Sequence, residues 1–346
     1  MKTEIWSVDK NVDSLNDYPQ IKQAAALLAQ NETVAFPTET VYGLGGNARN
    51  DEAVKKIFEA KGRPSDNPLI IHIADRKQLE EIVESVPDSA DKLMEAFWPG
   101  PLTIIFNKKD GQLSEIATAG LTTVGIRMPD HQVALAILRE SGVPVAAPSA
   151  NRSGRPSPTT AGHVEEDLNG RISGIVDGGP TGVGVESTVL DCTGEIPVIL
   201  RPGGVTKEQL EQIVGEVAAD PALADEKEAP RSPGMKYRHY APDAPLYIVE
   251  GTRERIQELV NEQHAEGLKA GVLTTAENEK FYDSDFTFIC GRRANLETVA
   301  ASLYEALRSF NSSGVDVIFS ESFPAEGVGE AIMNRLLKAA GHRIIK

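Results

Sequence analysis

Ile21, Ala24, Ala25 and Leu28 recur at helical spacing, and the short apolar run over 33–36 that follows them stops at Pro37. The chain therefore opens with a helix that feeds a buried strand. Val54, Ile57 and Phe58 mark the next helix, with Asp51 as its expected cap and Gly62 as its terminator. Apolar runs predict strands over 69–74, 102–106, 124–128, 143–147, 174–176, 188–191 and 198–200, and helices fit 132–140 and 160–168. Thr206 and Gln209 have capping-box spacing for one more helix. This alternation reads as one large α/β domain over 1–215.

The pattern then breaks. Residues 216–228 are acidic and Ala-rich, and 229–245 carry Pro, Arg and Tyr without apolar periodicity. The stretch 216–245 is read as a linker whose second half, rich in specific side chains, folds back as an active-site lid. Beyond it, strand patterns over 246–249, 271–275, 286–289 and 315–320 alternate with helical ones, including the stripe Leu296, Val299, Leu303, Leu307 and Phe310. A small parallel, Rossmann-like α/β domain over 246–346 is expected. Gly327-x-Gly329 reads as a helix entry, because Ile332 stands where a dinucleotide fingerprint needs its third glycine. The Gly178 to Gly184 stretch lacks the Gly-Lys-Ser/Thr ending of a phosphate loop.

Charge narrows the chemistry. Among 346 residues, 35 Lys+Arg face 51 Asp+Glu, a formal charge of -16, which argues against a general polyanion-binding surface. The informative cations sit in small polar clusters instead. Lys61-Gly62-Arg63-Pro64 with Asn67-Pro68 follows a helix, and Pro148-Ser149-Ala150-Asn151 follows a strand. Functional groups at element ends are held still, and the two clusters read as two halves of an anion site. Residues 37–45 add hydroxyls and close-approach glycines directly after a strand, a good grip for a small polar substrate. His72 lies mid-strand among isoleucines, in a core or on a pocket wall. Cys192 and Cys290 stand far apart with no zinc spacing, so neither a disulfide framework nor a structural metal is expected. The absence of a signal-like N-terminus or an uncharged bilayer-length run makes the cytoplasm the default compartment, with no membrane partner.

Seven stretches together resemble the YrdC-like family: 36–45, Lys61 to Pro64 with Asn67-Pro68-Leu69, Trp98 to Thr103, Arg127-Met128-Pro129, Pro148 to Asn151, Glu186 to Val189, and Arg201-Pro202-Gly203. The linker pattern Ser-Pro-Gly-Met-Lys-x-x-His-Tyr-x-Pro and the small last domain resemble its longer, two-domain branch. The resemblance covers nearly the whole chain. It implies a twisted, mixed and largely parallel sheet with a concave cavity, and a nucleotidyltransferase that joins L-threonine, bicarbonate and ATP into threonylcarbamoyl-AMP and pyrophosphate for threonylcarbamoyladenosine modification of tRNA. ATP would enter as substrate with Mg2+ and without a prosthetic group, and the product would be handed to a tRNA threonylcarbamoyl-transferase complex. Direct tRNA binding stays open.

By the same resemblance, Lys61, Arg63, Ser149 and Asn151 would be catalytic. Arg63, Asn67, Thr123, Ser149, Ser157, Arg201 and the linker's Tyr237 would bind ATP. Thr40, His72, Arg127, the Ala147 backbone and Ser187 would bind threonine. Two alternatives remain at this stage. A double-stranded RNA-binding module would use the basic cavity without ATP turnover. A carbamoyltransferase of the same family would carry an acylphosphatase-like segment and Cys-rich zinc fingers, which this sequence lacks.

Overall fold

The protein is described by a computed structural model covering residues 2–9, 18–223 and 240–346. These residues divide into two compact units. The first holds 2–9, 18–153, 158–182 and 186–223, and the second holds 154–157, 183–185 and 240–346. The part of the expected lid at 224–239, with Arg231, Lys236, Tyr237 and Arg238, lies outside the described residues.

The first unit runs β1 (Glu4–Ser7), α1 (Pro19–Ala29), β2 (Val34–Phe36), β3 (Gly43–Asn47), α2 (Asp51–Lys61), β4 (Ile71–His72), α3 (Arg76–Ile82), α4 (Asp88–Phe97) and β5 (Leu102–Asn107). It continues through α5 (Glu115–Thr118), β6 (Thr123–Arg127), α6 (Gln132–Ser141), β7 (Val145–Ala146), α7 (Ala161–Leu168), β8 (Gly174–Asp177), β9 (Thr188–Asp191), β10 (Val198–Arg201), α8 (Lys207–Val214) and β11 (Ala218–Ala219). One 11-stranded sheet results, in the order β1-β8-β2-β3-β7-β4-β6-β5-β9-β10-β11. Parallel ladders join β1 to β8, β8 to β2, β4 to β6, β5 to β9 and β10 to β11; the remaining neighbours are antiparallel. The sheet is mixed along its length, with a parallel edge at β1, β8 and β2.

Strand β3 is the element the apolar pattern does not announce, since three of its five residues are glycines, which lower strand propensity. Packing explains them. A Cβ on Gly45 would lie 2.7 Å from Phe36 Cε1 and 2.8 Å from Val145 Cγ1, so only glycine lets β3 pass between β2 and β7. Its neighbours then fix the polar loop after β7: Leu44 N donates to Pro148 O at 2.7 Å, and Ala150 N to Tyr42 O at 2.8 Å.

Helix α2 buries Val54, Ile57 and Phe58, each worth about 1.5–3 kcal/mol relative to exposure. Asn50 caps it by accepting from Ala53 N, so the cap is one residue earlier than the expected Asp51, which occupies the first turn. Gly62 at φ 64° closes it, and Arg63 N reaches back to Phe58 O at 3.0 Å. This paired closure turns the chain sharply after Lys61 and fixes the backbone of Arg63. The expected strand over 69–74 shrinks to β4, because Leu69 N donates to Ala117 O, outside any neighbouring strand. The capping box of Thr206 and Gln209 is present.

The second unit contains β12 (Leu246–Val249), α9 (Arg253–Ala265), β13 (Ala270–Thr274), β14 (Phe286–Ile289), α10 (Leu296–Ser313), β15 (Val317–Glu321), α11 (Val328–Ala340) and β16 (Ile344–Ile345). Its sheet is entirely parallel, in the order β14-β13-β15-β12-β16. Gly327 is the entry residue of α11. Cys192 and Cys290 are buried thiols, and burial pushes Cys192 up to about 12. Among the described residues, no helix is long and apolar enough to cross a membrane.

Candidate active site

The two polar clusters meet at Lys61. Its Nζ donates to the carbonyl of Ser149 at 2.5 Å, to the carbonyl of Asn151 at 2.8 Å and, at the limit of reach, to Asn151 Oδ1 at 3.5 Å. Its own carbonyl accepts from Ser153 N at 2.9 Å. Ser149 Oγ donates to Asn151 Oδ1 at 2.6 Å, and Asn151 Nδ2 donates to Arg152 O at 2.9 Å. One buried lysine thus pins the whole 149–153 turn to the end of α2. Burial and the neighbouring Arg63 bring Lys61 down to about 7, while Asp167 and Glu186 oppose them. The oxygens around Nζ can take all three ammonium protons, so the arrangement suits the charged form.

Arg63 lies beside Lys61 in the same corner. Both side chains are buried, Lys61 at 3% and Arg63 at 9% exposure, and Lys61 is engaged by protein oxygens. Asn67 is also buried, and no protein group among the described residues accepts from its Nδ2. A buried amide donor without an acceptor is rare in native folds.

A second group forms where β4 and β6 run side by side. His72 is in register with Arg127, and Ile73 N donates to Arg127 O at 3.0 Å. The His72 ring stands edge-on to Phe36, and its Nδ1 lies 3.3 Å from Ile70 O, which assigns the proton to Nδ1 and leaves the lone pair on Nε2. Burial first, and Arg127 second, hold the ring down at about 3, so it is neutral at physiological pH. Arg127 is buried, donates from Nε to Gly100 O at 3.3 Å, and lies 2.5 Å from Glu39 Oε2, off the line of a hydrogen bond.

Ala147 N is spent on Ile70 O at 3.0 Å, so Ala147 can meet a ligand through its carbonyl. Thr40 is fully buried, and its hydroxyl lies 2.9 Å from that of Thr38, which closes a turn onto Val41 O.

Arg201 and Ser187 form a third group. Arg201 Nη2 donates to Ser187 O at 2.8 Å and to Ser187 Oγ at 3.2 Å, and Ser187 Oγ lies 2.8 Å from Thr103 Oγ1. The turn before β5 connects this pair to Arg127, because Gly100 O accepts from Arg127 Nε and Pro101 O accepts from Thr188 N.

The structure therefore brings together Lys61, Ser149 and Asn151, with Arg63 beside them. It also brings together His72 and Arg127, and Ser187 and Arg201. Thr123 stands apart, at the first residue of β6 opposite Asn107, with Arg127 at the other end of that strand. Ser157 is buried and clusters with the second unit, and Tyr237 lies outside the described residues. Glu39 was not singled out from the sequence. Its signal was an acid between two threonines directly after a strand.

The Sua5, YciO and YrdC family, described by the words telomere recombination, matches residues 26–203. A second description, threonylcarbamoyl-AMP synthase C-terminal domain, matches residues 205–341. The chain belongs to the Sua5/YrdC family. A Bacillus subtilis member named threonylcarbamoyl-AMP synthase is 63% identical, over 100% of both chains. One of the same name from Pyrococcus abyssi is 49% identical over 94% of this chain and 96% of its own. The crystal structure of P. abyssi Sua5 complexed with L-threonine superposes with a TM-score of 0.92, at 48% identity and 99% coverage of both chains. Escherichia coli YciO shares the fold alone, with a TM-score of 0.52 over 58% of this chain and 96% of its own, at 22% identity. The two-domain layout is thus that of the longer Sua5/YrdC members.

Proposed function

We propose that the protein is an L-threonylcarbamoyladenylate synthase, a nucleotidyltransferase that condenses L-threonine, bicarbonate and ATP into threonylcarbamoyl-AMP and pyrophosphate. The observation that carries this reading is the knot at Lys61, where two clusters ninety residues apart become one buried, donor-rich corner. The relatives' shared name and the L-threonine complex of the P. abyssi structure support the choice of substrate.

In this reading the reaction is a problem of placement and charge. Threonine binds with its carboxylate on the Arg127 fork, with Thr40, His72, the Ala147 carbonyl and Ser187 around it. His72 presents a lone pair at Nε2, the right partner for a substrate hydroxyl. ATP lies on Arg63, Asn67, Ser149 and Arg201, with Thr123, Ser157 and Tyr237 contributing from further along the chain. The buried Asn67 amide is a donor that a phosphate or base would satisfy. Magnesium arrives with the triphosphate as part of the substrate, since triphosphate oxygens with water supply most of its usual ligands.

Carboxylation of the threonine nitrogen gives a carbamate, whose oxygen attacks the α-phosphorus as pyrophosphate leaves. Lys61 sets the position of Ser149 and Asn151 and, with Arg63, stabilises charge on the leaving group. The chemistry is assigned to 1–215, with 216–245 as linker and 246–346 as a separate small domain; the product then passes to the tRNA-modifying machinery. Pyrophosphate release from ATP is the test. The reading requires release that depends on both threonine and bicarbonate, and release indifferent to threonine overturns it.

A further inference from the structure

Glu39 is an acid with an unusual setting. Its side chain is 12% exposed, and it faces Arg127, itself 5% exposed, at 2.5 Å. Among the described residues neither carboxylate oxygen accepts a hydrogen bond, although a carboxylate offers about four acceptor positions. The backbone around it is fixed: Glu39 O accepts from Gly182 N at 3.1 Å, and Thr38 Oγ1 accepts from Thr40 N and Val41 N. A buried carboxylate with a misaligned counter-ion and no hydrogen-bond donors is costly, and such a cost is repaid where a cationic donor binds.

An α-amino acid carries its carboxylate and its ammonium on one carbon. A guanidinium beside a carboxylate is the charge complement of that arrangement. If the substrate carboxylate takes the Arg127 fork, its ammonium falls next to Glu39. We propose that Glu39 receives the α-ammonium of the amino-acid substrate and takes its proton before the nitrogen is carboxylated. This rests on the assignment of Arg127 to the substrate carboxylate.

The chemistry balances. One ammonium proton passes to a Glu39 oxygen, which frees the nitrogen lone pair. That pair forms the C–N bond with the carbon of bicarbonate, and the bicarbonate hydroxyl leaves as water with a second nitrogen proton. The product is a carbamate and a protonated Glu39, which returns its proton to solvent before the next turnover. Without the first transfer the nitrogen has no electron pair to give. Glu39 is thus a catalytic residue as well as the partner that distinguishes an amino acid from a plain hydroxy acid.

The test is a cycle between Glu39 and the substrate's amine. Binding of L-threonine and of (R)-3-hydroxybutyrate, the same molecule without its amine, is measured by calorimetry in the wild type and in Glu39→Gln. The wild type should prefer threonine by on the order of a hundredfold, and Glu39→Gln should erase most of that preference. Turnover with threonine should fall at least as far and recover in part in Glu39→Asp. A preference that survives in Glu39→Gln overturns the proposal. So does tighter threonine binding in that variant, which would make Glu39 only a counter-ion that threonine must displace. Should Glu39→Gln fail to fold, equal affinity of the wild type for the two ligands is itself decisive against it. Arg127→Gln keeps the two claims separate: it should weaken both ligands, and if both bind unchanged, the placement of the carboxylate fails independently of Glu39.

Discussion

The Nζ atom of Lys61 lies 2.8 Å from the carbonyl oxygen of Asn151, ninety residues further along the chain. The bond does two jobs, because it buries a cation and holds the turn that carries Ser149 and Asn151. Lys61→Met should therefore affect stability and rate together. Leaving two buried carbonyls without their donor costs about 1–3 kcal/mol, visible as a lower urea midpoint. Pyrophosphate release should fall roughly a hundredfold or more because Ser149 and Asn151 lose the positions that Lys61 holds, and Arg63→Ala, which removes a preorganised donor, should lose rate to a similar degree. Normal turnover in either folded variant would contradict the role given to this corner.

Gly203 tests how Arg201 is aimed. A Cβ at this position would lie 2.3 Å from Thr188 N and 2.4 Å from Glu186 O, and backbone cannot yield as a flexible side chain can. Gly203→Ala should destabilise the first unit by about 1–3 kcal/mol or more and weaken threonine and ATP binding together, since Ser187 and Arg201 share this turn. An unchanged denaturation midpoint would show that the packing around β9 and β10 is looser than described.

His72 gives a pH signature whose sign is fixed by its environment. Burial, with Arg127, holds the ring at about 3, whereas an unfolded histidine titrates near 6.5. Below 6.5 the unfolded chain takes up a proton that the native state refuses, so stability falls as the pH drops towards 3. The expected size is at most about 1.4 kcal/mol per pH unit. His72→Asn lacks this component. The stability difference between wild type and variant should shrink by about 2–3 kcal/mol between pH 7.5 and 4.5 in urea titrations. A constant difference would mean that the ring titrates normally.

Some of this was written locally and some was not. Helix α2 could be read from Val54, Ile57, Phe58 and Gly62 because a helix repeats its own spacing, but Asn50 and Asp51 are both good caps, and the choice fell one residue early. Strand β3 hid behind its glycines, of which Gly45 answers to Phe36 and Val145 on other strands and Gly46 to Ile57 on α2. The same limit applies to the site. The residue types around 61–67 and 148–151 announce anion chemistry, whereas the bond from Lys61 to Asn151 depends on a sheet that brings β7 beside β3. Glu39 was visible as an acid, but its partner Arg127 is set only by the placement of β6.

The most direct check on the account is the identity of the product. The purified protein is incubated with ATP, magnesium, L-threonine and 13C-labelled bicarbonate, and the nucleotide products are resolved by mass spectrometry. A species with the mass of threonylcarbamoyl-AMP should form, heavier by one unit with labelled bicarbonate, and should vanish when threonine or bicarbonate is left out. AMP and pyrophosphate without that adduct, or an adduct that carries no label, would contradict the assigned reaction.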